Sequence, residues 1–83
     1  MTGSLGHVNE ERSTLRAHYP IGSVRDAIVA LRDLSVMIED DTTELVEGKY
    51  SDLESLLAAL YKIAGIYAFM GETLEYLINK KED

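Results

Sequence analysis

Four carboxylates have the spacing in this chain that most suggests chemistry. Asp41 with Glu44 (D-T-T-E) and Glu72 with Glu75 (E-T-L-E) each stand three residues apart. On a helix that spacing puts both acids on one face, where hard oxygen ligands can hold a divalent cation. Little else in the sequence points to a reaction. There is no cysteine, and the two histidines, His7 and His18, both lie near the N-terminus. Thiolate chemistry is therefore excluded, and a structural zinc site lacks ligands. No glycine-rich phosphate loop, G-x-S-x-G elbow or H-E-x-x-H helix is present.

The elements that would position these acids are helical. Pro20 and Gly22 set off a polar N-terminal segment, residues 1–22, from residues 23–83. Ser23 followed by Asp26 resembles a capping box. Apolar residues then recur at Val24, Ala27, Ile28, Leu31, Leu34, Ile38, Leu45 and Val46, the three-and-four spacing of a helix. Asp40-Asp41-Thr42-Thr43 is its weakest point, but the phase holds and predicts a helix over 24–47. Gly48 is the expected left-handed stop. Ser51 with Glu54 then fits a capping box for a second helix over 52–79, with Lys80 and Lys81 at the negative end of its dipole. So short a connection makes the two helices antiparallel neighbours. In the N-terminal segment, Asn9 is the expected cap of a short helix, with Arg16 and His18 in its last turn, or the segment is a flexible arm. The expected fold is all-α, an antiparallel two-helix hairpin with a short N-terminal segment.

In such a hairpin Glu44 faces Ser55, and Glu72 lies 17 residues further along, about 25 Å away. Within one chain the two acid pairs cannot share a metal; only a second, antiparallel chain could join them. D-T-T-E and E-T-L-E resemble the magnesium-binding acids of the all-helical MazG-type nucleotide pyrophosphohydrolases. That resemblance implies magnesium-dependent nucleotide hydrolysis as an alternative function. In size, acidity, lack of cysteine and helix-turn-helix plan, the chain also resembles the small hairpins exported by ESX-type secretion systems, which would imply export. It departs from them at two motifs. The turn reads E-G-K-Y-S where that family has tryptophan-x-glycine, and Tyr76 is followed four residues later by Lys80 rather than an acid.

Length and charge narrow the partners. Eighty-three residues make one domain, which buries only about 60–65% of its unfolded surface and gains from a further support. With disulfides and thiolate metals gone, oligomerisation is the support left. A net charge of −7 argues against a nucleic-acid backbone or an anionic membrane as partner. The first residues lack the basic and apolar regions of a secretory signal, so the expected location is cytoplasmic. The oily run LLAALYKIAGIYAFMG, residues 56–71, is shorter than the roughly 20 residues a membrane span needs. It also contains Lys62 and is flanked by Glu54 and Glu72, so no membrane partner is expected. No cofactor is expected either.

That run belongs to a wide apolar face. Leu53, Leu56, Leu60, Ile63, Ala64, Tyr67, Met70, Gly71, Leu74 and Ile78 line it, more than the roughly 100° stripe one neighbouring helix covers. A second hairpin docking there would complete a four-helix bundle. The candidate self-association residues are Leu56, Leu60, Ile63, Tyr67, Met70 and Leu74. Phe69 and Tyr76 fall on the opposite line; they are candidates for an outward aromatic patch that binds a partner, the alternatives being that they lie under the N-terminal segment or sit singly on the surface. Asp26, Asp33, Asp40 and Glu47 recur every seven residues and, with Asp41 and Glu44, form an acidic ridge. Such a ridge suits a basic partner or mimics a phosphate backbone in an inhibitor of a nucleic-acid-binding protein. The expected function is that of a non-enzymatic protein-binding module (an adaptor, inhibitor or regulator) acting as a homodimer.

Overall fold

The computed structural model describes residues 2–48 and 50–82, with side chains over 6–48 and 50–80. Among the described residues every regular element is a helix: α1 Thr2–His18, α2 Val24–Val46 and α3 Leu53–Glu82. The described residues are all-α, in three helices. The N-terminal segment is a full 17-residue helix that begins well before Asn9. Asn9 lies inside it and accepts a hydrogen bond from Arg12 Nη2 at 2.6 Å.

Helix ends follow local chemistry. Ser23, in extended conformation, caps α2 by accepting from the Asp26 amide at 3.1 Å. Asp26 in turn reaches back to the Gly22 amide, also at 3.1 Å. Glu47 closes α2, and Gly48 follows at φ +67°, a left-handed turn that glycine adopts without steric penalty. The start of α3 differs from the sequence expectation. Asp52, not Ser51, supplies the cap, accepting from the Ser55 amide at 2.7 Å. Ser51 and Asp52 both stand three residues before a plausible N3 position, and the ionised carboxylate is the stronger acceptor. That hydrogen bond holds the Asp52 carboxyl below the usual aspartate value.

α3 is the centre of the molecule. Its 30 residues account for the longest dimension, 47 Å. α1 and α2 each pack on α3, and Leu15 of α1 shares one core cluster with Ala30 and Leu34 of α2. Contacts with α1 advance in step, from His7 on Tyr61 through Glu11 on Gly65 to Arg16 on Glu72, so α1 runs parallel to α3. The Asp41–Lys62 pair near the turn and the Leu34–Phe69 level of the core further along make α2 antiparallel to it.

The core is small. Leu15, Ala30, Leu34, Ile66 and Phe69 form it, with Tyr19, Ile21, Met37, Ile38 and Met70 packed around them. Phe69 is 1% exposed, and its ring lies 6.5 Å from that of Tyr19. The expectation of an outward Phe69 is therefore corrected: this ring is the largest fully buried side chain. Tyr76 is half-buried beside it, in a shallow pocket with Arg16, Ile21 and Thr73. Both rings lie on the side of α3 that the N-terminal residues cover. Thr73 is buried too, and its hydroxyl donates to the Phe69 carbonyl at 2.9 Å.

Candidate functional site

Around α3, at about 100° per residue, the rows fall into three sectors. One, with Tyr61, Gly65 and Glu72, faces α1. His7 stacks on the Tyr61 ring at 5.0 Å. A Cβ at Gly65 would overlap Glu11 Cβ and sit 3.3 Å from the Val8 carbonyl, so the bare backbone there is what lets α1 approach. Glu72 receives a fork of two hydrogen bonds from Arg16, one of them Nε to Oε2 at 3.1 Å, and lies 3.4 Å from Arg12 Nε. The fork holds the Arg16 guanidinium above its ordinary pKa.

A second sector faces α2. Met70 packs on the core there, Leu56 and Ile63 are half-buried, and Lys62 lies 3.8 Å from Asp41.

The third sector has no neighbour among the described residues. Leu53, Leu57, Leu60, Ala64, Tyr67, Gly71, Leu74 and Ile78 form a continuous row, every member of it exposed. Leu53 is 69% exposed, Tyr67 57% and Ile78 56%. The intervals are four, three, four, three, four, three and four, the heptad spacing that presents one seam to a partner helix.

α2 continues this surface. Its inward row is Ala27, Ala30, Leu34, Met37 and Asp41; about 90° round lies a second row, Val24, Ile28, Leu31, Ser35, Ile38, Thr42 and Leu45. Val24 and Ile28 are exposed, and Leu31, Ile38 and Leu45 are half-buried. The open rows of α2 and α3 are both displaced in the same rotational sense from their mutual contact. In antiparallel helices such rows lie on one side of the pair. The result is a two-helix apolar face. α1 packs on the other side.

The six self-association candidates divide accordingly. Leu60, Tyr67 and Leu74 stand on the open row, while Leu56, Ile63 and Met70 lie half-buried in the valley towards α2. Sequence reasoning missed Leu57 as a full member of the row and missed the contribution of Val24 and Ile28. The heptad intervals were the signal available for Leu57.

The acids are dispersed into local roles. Asp26 accepts from the Gly22 amide ahead of α2, Asp33 pairs with Arg32 at 3.5 Å, Asp40 is exposed and Glu47 closes α2. Asp41 and Glu44 border an open cleft with Glu11 and Lys62. Glu72 is engaged by two arginines at the far end of α1. Among the described residues no three His, Asp or Glu side chains converge as metal ligands.

By length and composition α3 could cross a membrane: within Leu53–Lys80 an 18-residue window has a mean hydropathy of 1.4, and 17% of that window is buried. The low buried share is the open face seen from another side. No family model, curated protein or solved structure matches the chain, so its reading rests on this face.

Proposed function

We propose that the protein is a non-enzymatic, cytoplasmic protein-binding module whose α2–α3 face takes another polypeptide, in the first place a copy of itself. One observation carries the reading. Among the described residues ten large apolar side chains are exposed, and eight of them (Val24, Ile28, Leu53, Leu57, Leu60, Tyr67, Leu74 and Ile78) lie on this face, whereas the buried large ones are Leu15, Leu34, Ile66 and Phe69. A soluble monomer rarely leaves so much contiguous apolar surface to water. Two copies sharing the face would stack α2 and α3 of each into a four-helix layer, with α1 outside.

The acidic-mimic alternative has less behind it, because Asp26 is already bonded to the Gly22 amide and Asp33 is paired with Arg32. Magnesium-dependent nucleotide hydrolysis has less still, since Glu72 is taken by Arg12 and Arg16.

Light scattering of the purified chain across a dilution series tests the proposal, with vesicle flotation in parallel. The expected result is a mass of two chains and no flotation. A folded monomer at every concentration would overturn self-association. Flotation with neutral lipid vesicles would assign the face to a membrane instead.

A further inference from the structure

We infer that the open row of α3 packs on the same row of a second copy, antiparallel, about a two-fold axis at the level of Gly65 and Ile66. The inference rests on the binding-module reading and specifies its partner and register.

The row's intervals read the same in both directions about that level. Antiparallel pairing there sets Leu53 opposite the partner's Ile78 and Leu57 opposite the partner's Leu74. Nearer the axis, Leu60 meets the partner's Gly71, and Ala64 meets the partner's Tyr67. Each small residue is thus opposed by a large one. Gly71 has open space around the position of a Cβ, which leaves a notch that Leu60 of the other copy can fill. A parallel pair in register would set Gly71 on Gly71 and Tyr67 on Tyr67, a void and a collision on one seam, and packed interfaces tolerate neither.

Polarity and area agree. Antiparallel helices place the positive dipole end of each beside the negative end of the other. From Leu53 to Ile78 the row carries no charge, so closing it strands no ion. With α2 alongside, the face is about 38 Å long and roughly 18 Å wide, a flat footprint of about 700 Å² per copy. That approaches the roughly 800 Å² per partner of a standard stable interface. An isologous dimer is the closed assembly such a self-complementary row can make.

Because the chain has no cysteine, single cysteines report the register cleanly. Leu60→Cys and Gly71→Cys chains are prepared separately and mixed, then treated with a short bismaleimide. The register predicts cross-linking in the mixture well above that of either variant alone. Efficient Gly71→Cys self-linking would show a parallel pair and overturn it. A two-chain mass with neither product would overturn the register while leaving the binding reading in place. A monomeric mass would remove both.

Size complementarity supplies an independent check. Gly71→Leu should weaken association at least tenfold, and adding Leu60→Ala should recover most of the loss, with helicity by circular dichroism unchanged throughout. Failure of the second substitution to rescue the first would overturn the pairing of these two positions.

Discussion

Under α1, helix α3 offers a glycine, a glutamate and a tyrosine ring; on its open side it offers leucines at heptad spacing. The polar, narrow sector is covered by α1, with Gly65 admitting the α1 backbone and Glu72 holding Arg12 and Arg16. The oilier sector, from Leu53 to Ile78, is left open. The contrast has a physical logic. A neighbour in the same chain arrives at high effective concentration, so modest, directional contacts suffice to seat it. A partner arriving from solution must overcome the loss of translational freedom, and apolar area is the strongest term available for that.

The contrast can be broken on either side. The largest effect belongs to Phe69→Ala, which empties the middle of the core. It should cost about 3–5 kcal/mol in chemical denaturation, enough to unfold so small a domain. On the open side, Leu60→Glu should leave the helical spectrum intact and convert the proposed two-chain mass to one, raising the dissociation constant at least about a hundredfold. If Leu60→Glu unfolded the monomer instead, the two sectors would not be separable.

The two glycines sharpen the comparison, because the same substitution should change sign over six residues. Gly65→Ala forces α1 away from α3 and should destabilise by about 1–3 kcal/mol. Gly71→Ala meets open space in the monomer. In the Leu60→Glu background it should stabilise by about 1 kcal/mol through helix propensity alone.

The smallest effect is at the helix start. The Asp52 carboxyl is held below its ordinary value by the Ser55 amide. A depressed folded value means that its stabilisation is present above about pH 3.9, the unfolded value, and is lost as pH falls through the folded one. Asp52→Asn keeps a capping oxygen without the charge, so melting temperatures of the two proteins should differ at neutral pH and converge in acid.

Much of this arrangement is legible in the residues. Ser23 and Gly48 mark the ends of α2, because capping geometry depends on one or two side chains and little else. The breadth of the apolar arc on α3 is legible for the same reason. Which part of that arc is covered is not. Ile66 and Phe69 are as apolar as Leu60 and Leu74, and a helix wheel cannot say where a neighbour will sit.

The key lay in small and charged residues. Gly65 marks a close approach, and Glu72 calls for a cation four residues removed from another, as Arg12 and Arg16 are. The full length of α1 was hidden because its own apolar content is slight. Gly3, Ser4 and Gly6 are poor helix formers, and the helix owes its persistence to what it touches on α3.

The placement of the tyrosines turns the molecule into its own spectroscopic gauge. With no tryptophan, one phenylalanine and five tyrosines, the near-ultraviolet signal is dominated by tyrosine. Tyr19 and Tyr61 have ring neighbours beneath α1, whereas Tyr67 projects from the open row. Ring resonances of Tyr67 should therefore move on dilution while those of Tyr19 stay fixed, and loosening of α1 should shift Tyr19 and Tyr61 and leave Tyr67 unmoved. Assembly and unfolding thus write to different rings of one short chain, readable without a label.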